Sequence, residues 1–468
     1  MSELDFKRKI YQQMLAWKEK RIRKALVIEG LRQIGKSYIV ERFAKENYEN
    51  VYAFDFRKYE SHRKMFAGSF DLKAFKEDLF ILFNKKYDDH NAVLIFDEIG
   101  DSPDARAAIK YILKETNFDI IATGSLLAVK GFKQKKDRSP GVGSCHFIKM
   151  FPLDFEEFLW ANGVGDGLIN EIKEGLTNLS PIRDSHHEYL NKMFKYYMLC
   201  GGMPEAVKKF VETHDFNEVI DTNIDKLKEL EGDFGRIIGK DGKVQIDEEL
   251  LLRTRQVYDS LVPQLAKSNT KFMFSYVRKG GRAKEYEEAI TWLENAGIIA
   301  KCHNLIDLSR PLEGNIDPEC YKLYFSDIGL YVAKMGKQVA SMILKGEIDS
   351  YGGYIYEGVV ADILNKAKMP LCYSDNHKAE LDFIIEDGSK IAILEAKQAD
   401  GQSKSARATI EGKSNRHADI CYKIRGKNFG LGSYYSGLPH YALPFLLNRI
   451  NEDIENTLKI DEAVIPED

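Results

Sequence analysis

Residues 25–37 read ALVIEGLRQIGKS. ALVIE is a short apolar run suited to a strand buried in a parallel sheet, and SYIVERFAKENY, which follows the loop, has the apolar spacing of a helix. Between them, Gly30-Leu-Arg-Gln-Ile-Gly-Lys-Ser37 fits G-x-x-x-x-G-K-[ST] in the strand–loop–helix setting that gives the pattern a mechanism. Gly30 and Gly35 allow several N–H groups to point at phosphate oxygens, and the helix N-terminus adds its dipole. Lys36 has the reach for β- and γ-phosphates, and the Ser37 hydroxyl suits Mg²⁺. The predicted nucleotide contacts are Gly30, Gln33, Ile34, Gly35, Lys36, Ser37 and Tyr38. The bland alternative, a glycine turn beside an exposed lysine, has this context against it.

A nucleotide loop needs acids, and AVLIFDEIG supplies them. Ala92 to Phe96 read as a buried strand ending in Asp97 and Glu98. Asp97 is placed to hold the Mg²⁺ shell, and Glu98 to orient and deprotonate the attacking water. Further strands are expected at NVYAFDF and FDIIATGS, and helices at LKAFKEDLFILF and DARAAIKYILKE. The loop after FDIIATGS belongs beside the γ-phosphate, so Thr123 or Ser125 could sense it or position water. A turn-forming Ser or Thr is an equal alternative for either residue.

Composition bounds the rest. The chain has 468 residues, 44% hydrophobic and 30% charged, with formal net charge −4. That length predicts two to four domains, and the charge gives no global signal for nucleic acid or anionic lipid, though a local basic patch is compatible with it. Six cysteines lie far apart without a C-x-x-C pair, which argues against a zinc site or a disulfide framework. No apolar run approaches the ~18 residues of a membrane span. The N-terminus reads as a charged amphipathic helix rather than a signal peptide, so a cytoplasmic protein without a membrane partner is expected.

RQIGKS, FDEIG, ATGSLLAV and SPGVGSCHFIKMFPLDFEEFLWANG together resemble the bacterial and archaeal AAA-type ATPases that carry a C-terminal region of unassigned function. The similarity continues through GGMPEAV, PQLAKSNTKFMFSYVRKGGRAKEYEEAITWLENAGII, YKLYFSDIGL and AELDFIIEDGSKIAILEAK, in the same order. One departure is Gly100, where relatives usually carry Gln, which puts in doubt a polar relay from this position. The resemblance implies ATP as the nucleotide, a helical lid behind the core and an arginine finger, for which Arg138 is the candidate. Arg138 lies in a basic loop, where contact with nucleic acid or plain solvation are equal alternatives.

The fold class expected is therefore α/β multidomain. It comprises an AAA-like P-loop ATPase core with a parallel sheet over 1–152, a helical lid over 153–245 and a winged-helix-like module over 246–345. A C-terminal α/β restriction-endonuclease-like domain follows over 346–455, then an acidic tail over 456–468. DEELLLRTRQVYDSLVPQL and AKEYEEAITWLENAGII read as two helices and CYKLYFSDIGLYVA as a strand and terminal turn. Lys271, Arg278, Lys279, Arg282 and Lys284 would meet DNA phosphates, while Glu285, Glu287, Glu288 and Glu294 on the second helix favour a protein-docking role.

In the last domain, ELDFIIE and IAILEAK read as strands joined by an Asp-Gly turn. Asp382, Glu395 and Lys397, with Glu357 on a preceding helix, match the layout of the PD-(D/E)XK nucleases. That resemblance makes Asp382, Glu395 and Glu357 Mg²⁺ ligands and Lys397 the catalytic lysine, with Gln398 and Lys404 near substrate. An ordinary cross-face charge pair is the alternative. Two functions are carried forward: an ATPase controlling a nuclease-like domain that acts on DNA, and a nucleotide-dependent switch that binds a protein partner or DNA without cutting. A monomer and an oligomer are equally compatible.

Overall fold

The computed structural model describes residues 6–68, 70–125, 142–238, 244–267, 271–347, 352–376, 379–396, 404–414 and 417–459. Strands β1 (Ala25–Gly30), β2 (Asn50–Asp55), β3 (Ala92–Asp97), β4 (Asp119–Ser125) and β5 (Cys145–Met150) form one sheet in the order β2-β3-β4-β1-β5. Every pairing is parallel. Both faces are covered, which is why these strands read as near-continuous apolar runs. Val93 and Ile95 of β3 join one core with Ile39, Val40 and Phe43 of helix Lys36–Asn47. Leu94 and Phe96 join a second with Phe75, Leu79 and Ile109 from helices Leu72–Phe83 and Pro103–Glu115. β4 separates β1 from β3, so the glycine loop and the acid pair leave the sheet on either side of it.

Five helices follow: Phe155–Ala161, Asp166–Asn178, Asp184–Cys200, Pro204–Thr213 and Phe216–Glu231. Asp154 and Glu157 form a capping box at the first, and Pro204 occupies the first turn of the fourth, where its missing N–H costs nothing. A short hairpin, β6 (Arg236–Ile238) and β7 (Val244–Ile246), leads to helices Glu248–Leu265 and Ala283–Asn295. The connector between them includes a four-residue helix, Phe274–Val277.

The remaining strands are β8 (Ile299–Leu305), β9 (Ile316–Phe325), β10 (Cys372–Asp375), β11 (Glu380–Asp387), β12 (Lys390–Ala396), β13 (Ile420–Arg425), β14 (Gly430–Leu431) and β15 (Ser436–Pro439). They form a mixed sheet in the order β14-β15-β13-β12-β11-β10-β8-β9. β9 contains CYKLYF, the strand expected in the winged-helix-like module, and it pairs with β8, for which no strand is expected from the sequence. They instead extend the C-terminal sheet, because β8 pairs in parallel with β10. The terminal turn expected after β9 is a helix, Ile328–Met335, capped by Asp327.

The expected boundaries do not separate cores. One contiguous apolar cluster runs from Ile121 of the first sheet through Tyr197 and Trp292 to Phe383 of the second. Gly202 lies at a tight point of this junction, where a Cβ would stand 2.0 Å from the Leu153 carbonyl oxygen. The neighbour is backbone and cannot step aside. Gly202→Ala is expected to cost roughly 1–3 kcal/mol and to lower the unfolding temperature by about 1–3 °C in a thermal melt.

Candidate functional site

The phosphate-type loop is built by backbone geometry. Gly35 has φ +86°, a left-handed value that any side chain would strain, and it opens the helix that begins at Lys36. Gln33 is also left-handed, at φ +63°. Lys36 is buried, and its Nζ donates to the carbonyls of Gly30 (3.2 Å) and Leu31 (2.8 Å) of its own loop. Burial lowers its pKa to about 8, although Glu98 and Asp97 pull the other way. Arg8 braces the loop from behind, donating to the Ile34 carbonyl (3.1 Å) and to Glu157 Oε1 (3.2 Å).

The acids lie beside it. Ser37 Oγ donates to Asp97, 2.8 Å from Oδ1 and 3.0 Å from Oδ2. The buried Thr123 hydroxyl donates to Asp97 Oδ1 and accepts the Glu98 N–H at 3.2 Å. Glu98 sits at φ +50°, ψ +51°, a conformation a glutamate adopts at a cost of order 1–3 kcal/mol and one that concentrates at functional sites. Burial raises its pKa, with Lys36 and Arg32 opposing. Ser125 ends β4 in register with Gly30. Tyr38 follows Ser37 on the helix and is exposed. Thus Gly30, Lys36, Ser37, Asp97, Glu98 and Thr123 converge at the carboxyl ends of β1, β3 and β4. The residues sequence reasoning missed are Arg32 and Gln33 as docking groups. They pair with Asp233 and Glu229, at and beyond the end of helix Phe216–Glu231. Partners about 200 residues away leave no local signal.

Lys36 gives the site a pH signature. In the free protein its ammonium loses its proton as pH rises through about 8, so affinity for a phosphate ligand is expected to weaken up to ~10-fold per unit above that value. Stability has the opposite sign. A lysine whose folded pKa lies below its unfolded one destabilises most below pH 8, and that penalty fades towards pH 10.5. Titration calorimetry with ATP at pH 7, 8 and 9 checks the first expectation, and thermal melts of the free protein check the second.

A second polar cluster lies in the C-terminal sheet. Glu357, on helix Gly352–Lys366, accepts from Tyr324 OH at 3.2 Å and lies 3.8 Å from Lys322 Nζ. Lys322 also pairs with Glu380. Burial pushes the Glu357 carboxyl up to about 7, with Asp382 and Glu380 adding to the rise and Lys322 opposing it. A small cleft of about 40 Å³ opens here, lined by Gln264, Lys271, Lys322, Tyr324, Glu357 and Glu380.

Asp382 lies where the β10–β11 pairing shifts register, and Asp382 Oδ2 accepts from Ala396 N at 3.0 Å. One step beyond the Phe383–Leu394 pair, Glu395 faces it across the strands, and Lys423 of β13 is in register with Glu395. Leu394 and Ala396 share a core with Ile355 and Val359 of the helix that carries Glu357, so strand alternation turns Glu395 to the other face of β12, with Ile393 and Cys421. Among the described residues no group of three or more His, Cys, Asp or Glu is arranged to hold a metal ion. Lys397, Gln398 and Arg138 lie outside the described residues. Lys404 opens helix Lys404–Ile410 and is exposed, as are Lys271, Arg278, Lys279, Arg282 and Lys284. No described helix is long and apolar enough to cross a membrane.

Residues 22–159 match the family model of an AAA domain, and residues 191–340 match a domain of unknown function (DUF8612). The second match runs across the boundary expected at 245/246. No curated protein matches the chain. Among solved structures, it is similar to the Walker-type ATPase PABY2304 of Pyrococcus abyssi, with 16% identity, 71% of this chain and 96% of that chain covered, and a TM-score of 0.41. The Aeropyrum pernix ORC2 protein, solved as ADPNP-ADP complexes, is 10% identical over 74% of this chain and 96% of its own, with a TM-score of 0.36. The ORC1 protein of the same organism, solved in complex with DNA, is 9% identical over 71% and 93%, with a TM-score of 0.30. The N-terminal part of this chain is a parallel-sheet, P-loop ATPase-like domain, with a separate mixed sheet towards the C-terminus.

Proposed function

We propose that this chain binds and hydrolyses ATP and that its nucleotide state controls the C-terminal module, a nuclease-like unit whose ligand is DNA. The observation that carries the ATPase half is the Lys36 ammonium. It is buried at a helix N-terminus, among the carbonyls of its own loop and beside the Ser37–Asp97 pair. A cation in that position suits the β- and γ-phosphates, and Ser37 with Asp97 forms a hydroxyl–carboxylate pair suited to Mg²⁺, which when bound offsets phosphate charge. Gly30, Gln33, Ile34, Gly35, Tyr38 and Ser125 complete the proposed nucleotide contacts. Glu98 is the group that orients and deprotonates water, and Thr123 holds Asp97 and Glu98 in place. Control of the C-terminal module is supported by the pairing of Gln33 with Glu229 of helix Phe216–Glu231, by that of Arg32 with Asp233 just beyond it, and by the core shared between the two sheets.

The nuclease-like reading is supported by the order helix, β10, β11, β12, helix, β13, with antiparallel pairing up to β12 and parallel pairing after it. In it Asp382 and Glu395 hold Mg²⁺, Glu357 joins them, and Lys397 is the catalytic lysine. A specific observation favours the second reading, a switch that binds DNA or a protein partner without cutting. Glu357 lies across β12 from Glu395 and already has a counter-cation in Lys322. Incubating plasmid DNA with the full chain, ATP and Mg²⁺ or Mn²⁺ separates the two. Cleavage is expected to be lost in Asp382→Asn while ATP turnover stays within about twofold of wild type, since the substitution is remote from the ATP loop. No cleavage by the unaltered chain with either metal leaves the non-cutting switch.

A further inference from the structure

Helix Gly352–Lys366 carries Glu357 near its start and an ion cluster at its end. Lys366 Nζ donates to Tyr197 OH (2.8 Å), Asp362 Oδ2 (3.0 Å) and Asp327 Oδ2 (3.1 Å). The lysine side chain is 3% exposed and both aspartates 0%. Asp327 Oδ2 also accepts the Gly202 N–H at 2.7 Å. The Tyr197 hydroxyl lies 3.2 Å from the Leu153 carbonyl, and Leu153 N donates to the Gly202 carbonyl at 2.7 Å. One ammonium therefore ties together the segment after β5, helix Asp184–Cys200, the Gly201–Met203 turn and the turn after β9.

This junction has no slack. Besides the contact at Gly202, a Cβ on Gly329 would stand 2.3 Å from the Cys200 carbonyl oxygen. A shift of the Gly201–Met203 turn must therefore move Asp327. Two residues past Gly202, the ring of Pro204 approaches the nucleotide loop, with Cγ 4.0 Å from where a Gly35 Cβ would be. The path from loop to helix is short: Gly35, Pro204, Gly202, Asp327, Lys366.

An interface that served only adhesion would do as well with apolar side chains, because burying one lysine and two carboxylates carries a large desolvation cost. Such a network is sensitive to small displacements of its hydrogen-bond partners. Next to it lies a void of about 10 Å³, no larger than a single water, lined by Asp154, Tyr197, Lys366 and Asn448.

We infer that the Lys366–Asp362–Asp327 cluster is the coupling element through which nucleotide at Gly30–Ser37 repositions the helix bearing Glu357. This rests on the reading that the loop holds ATP. Lys366 and Asp327 are positioning residues, acting on Glu357 through the helix.

Hydrogen–deuterium exchange on the full chain, with and without Mg²⁺ and a non-hydrolysable ATP analogue, tests it. In the unaltered protein the analogue is expected to slow exchange in residues 30–37 and to change exchange in 352–366 at least about threefold. In Lys366→Met the loop response should persist and the helix response disappear, with Lys366→Arg restoring it. If Lys366→Met is too unstable to measure, the paired Asp362→Asn/Lys366→Met variant removes both charges together and should behave the same way. A helix response that survives loss of the charges overturns the inference, as does a protected loop with an unresponsive helix in the unaltered chain. An unprotected loop would overturn the ATP reading and the inference with it.

Discussion

Lys36→Ala is expected to lower ATP turnover by about 100-fold or more. The loss reflects the removal of a buried ammonium aimed at developing phosphate charge, in a site where water cannot replace it. The variant should still fold. Burial works against the charged form of Lys36, so taking the group away removes a cost from the free protein rather than a support. A thermal melt separates the two effects. The unaltered chain at ATP near 100 times Kd should gain about 2.7 kcal/mol from binding, and Lys36→Ala should show almost none of that shift while melting no lower than the unaltered nucleotide-free protein. Full residual turnover in a phosphate-release assay would remove Lys36 from the mechanism.

Glu98→Gln should separate binding from chemistry. The amide keeps the shape and the backbone N–H bond to Thr123, so the strained left-handed turn after β3 can persist. What disappears is the basic oxygen, and general-base contributions are typically about 10²–10⁴-fold. ATP affinity by calorimetry is expected to stay within about threefold, with turnover down by the larger factor. The buried setting that raises the Glu98 pKa brings the carboxylate closer to the working pH of a base. Equal loss of affinity and turnover would point to a structural role at the turn instead.

The ATPase half was legible because its signals are local. A loop of eight residues, an apolar strand ending in two acids and a helix period of 3.6 are each read within one window, and Ser37, Asp97 and Glu98 meet at the strand ends. Thr123 and Ser125 read alike from the sequence, and the hydrogen bond from the Thr123 hydroxyl to Asp97 comes only from the fold. The rest depends on long-range pairing. Nothing near residue 300 announces that Cys372 will lie in register with His303 and turn a wing into part of a sheet. Lys322 reads as a charge in an edge strand until Glu357 and Glu380 approach it. The E-x-K spacing was visible, but which face Glu395 takes depends on how β12 packs under helix Gly352–Lys366. Asp362 and Lys366 look like an ordinary i, i+4 surface pair, and their burial comes from Asp327, Tyr197 and the glycine turn closing over them.

The most direct test of nucleotide control is the ATP hydrolysis rate of the full chain with and without duplex and single-stranded DNA, at low and moderate salt. Site-to-site coupling of 1–3 kcal/mol is typical and corresponds to about 5–150-fold in binding, so a several-fold rise in turnover with DNA, weakening as salt increases, is the predicted result. ATP turnover that is the same with either DNA at both salt concentrations would contradict control of a DNA-engaging module.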